Sequence, residues 1–145
     1  MLQDEITVGE SHERFLSRVV ASEVVWGIRN ELGFQGCPSN ENEQRTILLF
    51  WSDAAYARRA VAGGFTDCEP GEIPLFDFLF RWLPGMADDK LLAGTNYTGQ
   101  LHGLELEPLD LQREILIAMS EQQFAAYRRR LDDGLEAQRD GPSAR

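Results

Sequence analysis

Acidic side chains flank one of the chain's two cysteines. Cys68 lies between Asp67 and Glu69 in a sequence whose other cysteine is Cys37. A thiol beside a cation is a candidate nucleophile, but neighbouring carboxylates raise the pKa of a thiol and reduce its reactivity. No other residue completes a catalytic triad by a recognisable spacing. We therefore expect both cysteines to behave as small apolar side chains.

A second pair of acidic residues is spaced for a shared face. Glu105 and Glu107 lie two apart in a predicted strand, so both carboxylates point the same way, as in the beginnings of a cation or acid–base site. The same alternation is typical of the solvent-facing side of a sheet, which is the interpretation we favour. His12 and His102 have no ligand partner at a recognised spacing. The sequence thus predicts no catalytic residue, no metal and no cofactor, and we expect a protein that is not an enzyme.

The third pattern is electrostatic. Between Thr66 and Asp89 the chain carries six carboxylates against one cation, Arg81. If these carboxylates converge beside a polar acidic loop at 38–44, they form an acidic face for a basic protein. A dispersed and solvated rim is the alternative. The residues predicted to bind a partner are Glu41, Glu43, Asp67, Glu69, Glu72, Asp88 and Asp89.

Net charge limits the classes of partner. The formal charge of −10 argues against nucleic acid, whose phosphates bind clustered Lys and Arg, and against acidic membrane surfaces. A basic protein is favoured, mainly through faster encounter, although ordinary solubility explains an acidic chain as well. Neither a secretory signal nor an apolar run of membrane-spanning length is present, so we expect a cytoplasmic protein.

Periodic patterns predict the elements that position these residues. The chain is expected to begin with a helix over 11–22, capped by Thr7 or Ser11. A strand over 24–29, a turn at 31–33 and a return strand over 34–37 follow, and then an exposed loop over 38–44. The first half closes with a buried strand over 47–51 and a helix that is capped by Ser52 and ended by Gly63-Gly64. The second half is expected to open with a link over 65–73 that contains a short strand, followed by a very apolar helix that starts at Pro74 and stops at Pro84-Gly85. A hairpin of strands over 91–97 and 101–107 comes next, with its turn at Thr98-Gly99. One helix starts at Pro108, and a last one starts at the capping box Ser120-x-x-Gln123.

Helices and strands alternate incompletely, which favours an α+β class. We predict a single compact domain over 1–138, with a frayed C-terminal tail over 139–145. The domain is expected to hold a mixed or largely antiparallel sheet of about five to six short strands, packed with four to five helices.

Several short motifs together resemble a small bacterial family, domain of unknown function 2750. The resemblance covers about residues 11–116. Its motifs are Phe15, Leu16 and Val19, the run Glu23-Val24-Val25-Trp26, Leu49-Phe50-Trp51, Ile73-Pro74-Leu75 and Trp82-Leu83-Pro84-Gly85. The passage from strand to helix at 47–61 and the Pro-led helix are also similar to SseB-like domains, which are binding modules. The resemblance brings no catalytic residue, cofactor or substrate, and it implies nothing about the region beyond Ile117.

Charge and missing catalytic motifs together favour a non-catalytic protein-binding domain. The specific hypothesis is a bacterial immunity or inhibitor protein that neutralises a basic toxin or effector through an acidic surface. One alternative is a small-molecule sensor or an enzyme with a pocket lined by Trp26, Trp51 or Trp82, although aromatics at these spacings are core residues first. Another is a homo-oligomer that uses the helix around 76–80 as its contact.

Overall fold

In the computed structural model the backbone is described for residues 2–39, 44–97 and 103–140, and the side chains for residues 9–39, 44–97 and 103–135. The elements in chain order are α1 (Leu2–Ser22), β1 (Val24–Asn30), β2 (Gly33–Phe34), β3 (Gly36–Pro38), β4 (Thr46–Phe50), α2 (Ala54–Gly63), β5 (Glu69–Pro74), α3 (Leu75–Asp77), a π-helical turn (Phe78–Trp82), α4 (Leu83–Asp88), β6 (Leu92–Thr95), β7 (Leu104–Leu106), α5 (Pro108–Ala118) and α6 (Glu121–Asp140).

The strands of the described ranges form two sheets. One has the order β2-β1-β5 and is antiparallel; the other has the order β3-β4-β6-β7, in which β4 and β6 are parallel and the outer pairs antiparallel. The α+β prediction is confirmed, with seven strands in two sheets where about five to six in one sheet were expected.

Gly36 is where the chain passes from the first sheet to the second. A Cβ atom at this position would lie 1.7 Å from the backbone oxygen of Ile47, so β3 and β4 approach closely only because residue 36 has no side chain. A second connection is the bridge between Trp26 and Trp51, whose amides donate to each other's carbonyl oxygens.

Two clusters of buried side chains lie on either side of β4. The larger cluster includes Phe15, Val19, Val25, Phe50, Leu75, Phe78, Leu79, Leu83, Leu111 and Ile115. The smaller includes Ile28, Ile47, Leu49, Trp51 and Ala57. Successive side chains of a strand point to opposite faces, so β4 contributes to both clusters and needs the continuous apolar run that predicted it.

The apolar helix that starts after Pro74 does not stop at Pro84-Gly85, contrary to the prediction. The segments α3, the π-helical turn and α4 follow one another without a break to Asp88. In the π-helical turn the Leu83 amide donates to the carbonyl of Phe78, five residues back. A proline ring clashes with the carbonyl four residues before it, and the wider π turn directly before Pro84 relieves that clash. The middle of this helix is core: Phe78, Leu79 and Leu83 are fully buried.

Helix starts differ from the predictions where a polar side chain was chosen as the cap. The first helix begins at Leu2, so neither Thr7 nor Ser11 caps it. Asp53, not Ser52, occupies the N-cap position of α2. Ser52 is buried and its amide donates to the side chain of Asn96 instead. The cap at Ser120 is confirmed, because its hydroxyl accepts a hydrogen bond of 3.1 Å from the Gln123 amide.

The predicted hairpin is confirmed as the antiparallel pair β6 and β7, while its turn at Thr98-Gly99 lies outside the described residues. In the predicted exposed loop, Pro38 is exposed but Ser39 is buried. Helix α6 extends to Asp140, two residues past the expected domain end, and residues 141–145 are not described. No helix in the described ranges combines the length and apolar composition that crossing a membrane requires.

Candidate functional site

The end of β1 and the start of β5 meet and form a small surface at one end of the three-stranded sheet. The two strands pair antiparallel, with Arg29 opposite Glu69, so the turn after β1 lies beside the loop before β5. Asn30 connects them: its side-chain amide donates a hydrogen bond of 2.8 Å to Asp67 Oδ2. Asn30 Oδ1 accepts a hydrogen bond, also 2.8 Å, from the Leu32 amide. We call this the tip surface; its residues line a shallow pocket of about 570 Å³ and are Arg29, Asn30, Glu31, Leu32, Thr66, Asp67, Cys68 and Glu69.

Leu32 is the most exposed large apolar side chain of the described residues, at 88 %. It lies at the turn between β1 and β2, and Gly33 with φ of 111° returns the chain. The turn at 31–33 was predicted, but the exposed leucine within it was not selected as a site residue. An apolar residue in a tight turn between strands is the sequence signal that would have found it.

The charges around Leu32 are mainly negative. Glu31, Asp67 and Glu69 face one cation, Arg29, whose Nε lies 3.8 Å from Glu69 Oε1. The hydrogen bond from Asn30, and secondly the one from Cys68, lowers the pKa of Asp67 below its usual range. Asp67 is therefore a carboxylate at any physiological pH, and it is held in place by its donors.

Cys68 forms the floor of the tip surface. Its thiol is buried and lies 3.5 Å from Asp67 Oδ1. Burial, with a further contribution from Asp67, raises the pKa of the Cys68 thiol. The pKa of Cys37 is raised as well, by burial and then by Glu105. A thiol with a raised pKa is protonated at neutral pH and is a weak nucleophile.

The structure divides the predicted acidic set instead of gathering it. Asp67 and Glu69 lie together at the tip surface, whereas Glu72 points to the opposite face of β5. Asp88 is exposed at the end of α4, and Asp89 follows directly. Among the described residues no hydrogen bond or ion pair links the two groups. Glu41 and Glu43 lie outside the described residues.

The surface around Asp89 contains as many basic as acidic side chains. A second shallow pocket, of about 560 Å³, is lined by Asp89 and Glu107 together with Arg45 and Lys90. Arg45 donates two hydrogen bonds to Glu107, of 2.7 and 3.1 Å, which lower the pKa of that carboxyl. Glu105, the other member of the predicted carboxylate pair, is half-buried and accepts a hydrogen bond from Ser39. The two glutamates are thus held by different partners.

A buried polar network lies at the carboxyl ends of the parallel strands β4 and β6, where open α/β sheets commonly bind ligands. His12 Nδ1 and Thr95 Oγ1 are hydrogen-bonded at 2.9 Å, and His12 Nε2 and Glu114 Oε1 at 2.8 Å. Thr95 is 1 % exposed, so its hydroxyl cannot reach a substrate. In the described ranges no group of three or more His, Cys, Asp or Glu side chains is placed to hold a metal ion, and His12 with Glu114 supplies fewer ligands than a zinc site needs.

Asn96 extends this network. Its Oδ1 accepts from the Ser52 amide at 3.0 Å, and its Nδ2 donates to the Ser11 carbonyl at 3.2 Å. Its φ of 48° is a left-handed conformation that asparagine tolerates. The network therefore ties α1 to the ends of both parallel strands, and its polar groups satisfy one another.

Trp51 lies in the core, and Trp26 and Trp82 are partly buried against it. Trp51 is 1 % exposed, and its indole N–H donates to the Tyr97 carbonyl. Trp82 packs edge-on against Phe34, with ring centroids 4.7 Å apart. Trp26 is half-buried and forms the backbone bridge to Trp51. None of the three lines either of the two pockets just described.

A family model of proteins of unknown function, DUF2750, matches residues 12–115. The chain belongs to the DUF2750 family. The match nearly coincides with the range expected from the sequence motifs, and it contains the tip surface, both sheets and all of the buried polar network except Ser11. Helix α6 lies beyond the part of the DUF2750 domain that is matched. No curated protein and no solved structure shows significant similarity to the chain.

Proposed function

We propose that this DUF2750 domain is a non-catalytic protein-binding domain that holds a basic partner on its tip surface. The observation that carries the proposal is Leu32, 88 % exposed among Glu31, Asp67 and Glu69. Binding energy at protein interfaces is concentrated in a few central side chains that a rim protects from water. An apolar centre with an acidic rim fits a partner that has an apolar pocket bordered by Lys or Arg.

Energetics support an anchor at this position. Moving a leucine side chain from water into an apolar pocket is worth about 1.5–3 kcal/mol. The carboxylates of the rim contribute mainly selectivity and association rate, which the net charge of −10 increases further for a basic partner. The loss of conformational entropy on binding is small at this surface, because Asn30 already fixes both the Leu32 turn and the Asp67 carboxylate.

The specific form of the proposal is a bacterial immunity or inhibitor protein. Such a protein acts by covering the functional surface of a basic toxin or effector, and it needs no chemistry of its own. A tip that combines charge with one protruding apolar side chain is suited to this kind of occlusion. Of the seven acidic residues predicted from the sequence to bind a partner, Asp67 and Glu69 belong to the surface proposed here.

Quantitative capture from the lysate of the host tests the proposal. Immobilised wild-type chain is compared with Leu32→Ser, and Leu109→Ser is the matched control because Leu109 is an exposed leucine at the start of α5. We expect a basic protein that wild type and the control retain at low salt and that Leu32→Ser loses. Equal capture by all three chains, or capture of acidic proteins only, would contradict the proposal.

A pair of charge variants locates the surface. Glu31→Gln with Glu69→Gln removes two exposed charges from the tip, and Asp88→Asn with Asp89→Asn removes two from the end of α4. The tip variant is expected to slow association with the captured protein, whereas the α4 variant leaves it unchanged. The immunity form requires, in addition, that the captured protein inhibits growth when expressed alone and that co-expression of this chain restores growth.

A further inference from the structure

Among the described residues, the side-chain hydrogen bonds and ring contacts between helix α6 and the rest of the domain come from one side of the helix. The Gln123 side chain donates to the Val20 carbonyl at 2.9 Å, and the Tyr127 hydroxyl donates to Glu23 Oε1 at 2.6 Å. One turn further, the guanidinium carbon of Arg130 lies 4.0 Å from the centre of the Phe76 ring. Residues 123, 127 and 130 share one face of the helix, because they follow one another at intervals of four and three.

An apolar stripe runs along the neighbouring face. Phe124 is 42 % exposed and Leu135 50 %, and Leu131 between them is half-buried. Arg128 lies in the same line, so the four positions follow one another at spacings of four, three and four. This is the spacing of the seam residues of a coiled coil. Phe124 and Leu135 are among the exposed large apolar side chains of the described residues.

We propose that this stripe pairs with the same stripe of a second copy of the chain, with the two α6 helices antiparallel. In this register Phe124 lies opposite Leu135 of the second copy, and Arg128 lies opposite Leu131. The twofold axis repeats both contacts, as in any isologous interface. Each exposed apolar side chain of the stripe is thereby covered by an apolar side chain.

The charge pattern identifies a second copy as the occupant. In the antiparallel register Arg128 lies beside Asp132 of the second copy, and the symmetry forms this ion pair twice. Neither Arg128 nor Asp132 has an ion pair within the described residues. One helix therefore presents both the cation and the anion, at the positions that its own antiparallel copy requires.

Dimerisation through α6 does not depend on the proposed function of the tip surface. Helix α6 is attached at the start of β1, through Glu23, whereas the tip surface lies at its end, after Asn30. The strand spans seven residues, which separates its two ends by roughly 20 Å at about 3.3 Å per residue. A dimer through α6 therefore leaves the tip surface open.

The mass of the purified chain in solution is the first test. Light scattering over a concentration series is expected to approach twice the chain mass of 16.4 kDa. Leu135→Asp replaces an exposed side chain, so the fold is kept while self-association is expected to weaken tenfold or more. A wild-type chain that stays monomeric throughout the series overturns the proposal.

Mixing two charge variants tests the register. Arg128→Asp alone and Asp132→Arg alone each place like charges against each other in a homodimer, and both are expected to be monomers with unchanged circular dichroism. Their equimolar mixture is expected to dimerise, because both ion pairs return, one in its original orientation and one with the two charges exchanged. Arg129→Asp and Asp133→Arg, on the opposite side of α6, are the matched controls and remain dimers when alone. Dimeric single variants, or a mixture that stays monomeric, would reject the antiparallel pairing.

Discussion

The Asn30 side-chain amide and Asp67 Oδ2 lie 2.8 Å apart, and this hydrogen bond joins residues that are 37 positions apart in the chain. It brings together the turn after β1 and the loop before β5. The same asparagine also accepts a hydrogen bond from the Leu32 amide. One side chain thus fixes the position of both the anchor and the central carboxylate of the tip surface.

Asn30→Ala is expected to raise the pKa of Asp67 toward its usual value, because the strongest cause of the lowering is the bond from Asn30. A carboxyl with a lowered folded-state pKa adds stability above its unfolded pKa and loses it as pH falls through the folded value. The difference in thermal midpoint between wild type and Asn30→Ala should therefore be largest at neutral pH and become smaller as the pH falls below about 4, where only the pH-independent hydrogen bond from the Leu32 amide still separates the two chains. Carbon-detected NMR of the Asp67 carboxyl measures the pKa directly.

The control for this prediction is Gln122→Ala, which removes an exposed amide from α6. It should leave the Asp67 titration unchanged. An Asp67 carboxyl that titrates identically in wild type and Asn30→Ala would show that Asn30 does not hold it.

Gly36→Ala is expected to unfold or strongly destabilise the domain. The added Cβ would lie 1.7 Å from the Ile47 oxygen, which is backbone and cannot rotate away. Overpacking that side chains can absorb costs about 1–3 kcal/mol, and a backbone clash in the β3–β4 pair should exceed this range.

Gly9→Ala is the matched substitution of opposite sign. Gly9 lies within α1, and a Cβ there meets nothing within 4 Å. Alanine in a helix interior is favoured over glycine by about 0.8–1.0 kcal/mol. Urea unfolding of both variants gives the comparison, and a Gly36→Ala midpoint equal to that of wild type would mean that β3 and β4 do not approach as described.

Elements with a strong periodicity were predictable from the sequence. A continuous apolar run predicted β4, and an alternating pattern predicted β1. The same kind of periodicity predicted the hairpin of β6 and β7. Predicted helix boundaries were wrong where a contact with another part of the chain determines the local structure. Ser52 was predicted to cap α2, but its amide donates to Asn96. Pro84 was predicted to end the apolar helix, but the π-helical turn before it allows the helix to continue.

The candidate site was predictable only in part, because most of its contacts join distant residues. The charges of Asp67 and Glu69 were visible in the sequence, but their meeting with Asn30 and Leu32 depends on the pairing of β1 with β5. His12 likewise gave no signal, since Glu114 is 102 positions away. Local patterns do not carry information about such pairs.

His12→Leu and Thr95→Val together are expected to cost less stability than the sum of the two single changes. His12→Leu leaves the buried Thr95 hydroxyl without its side-chain partner, and an unsatisfied buried group costs about 1–3 kcal/mol. In the double variant both polar partners are replaced by apolar groups, so that penalty disappears. Urea unfolding of the four chains forms a double-mutant cycle. Strict additivity would show that the His12–Thr95 contact contributes nothing.

Tyr127→Phe is expected to reduce the loss of thermal stability that accompanies a rise to alkaline pH. Burial, followed by the hydrogen bond to Glu23, raises the pKa of Tyr127 well above its usual value near 10. The unfolded chain releases this proton at about pH 10 while the folded chain keeps it, so the stabilising contribution is full below that pH and declines as pH rises above it. Tyr127→Phe has no such proton, and it loses about 1 kcal/mol at neutral pH with its hydrogen bond. Its thermal midpoint should therefore start lower at pH 8 and fall less steeply between pH 9 and 11 than that of wild type. Parallel slopes in scanning calorimetry would mean that α6 does not hold the Tyr127 hydroxyl against Glu23.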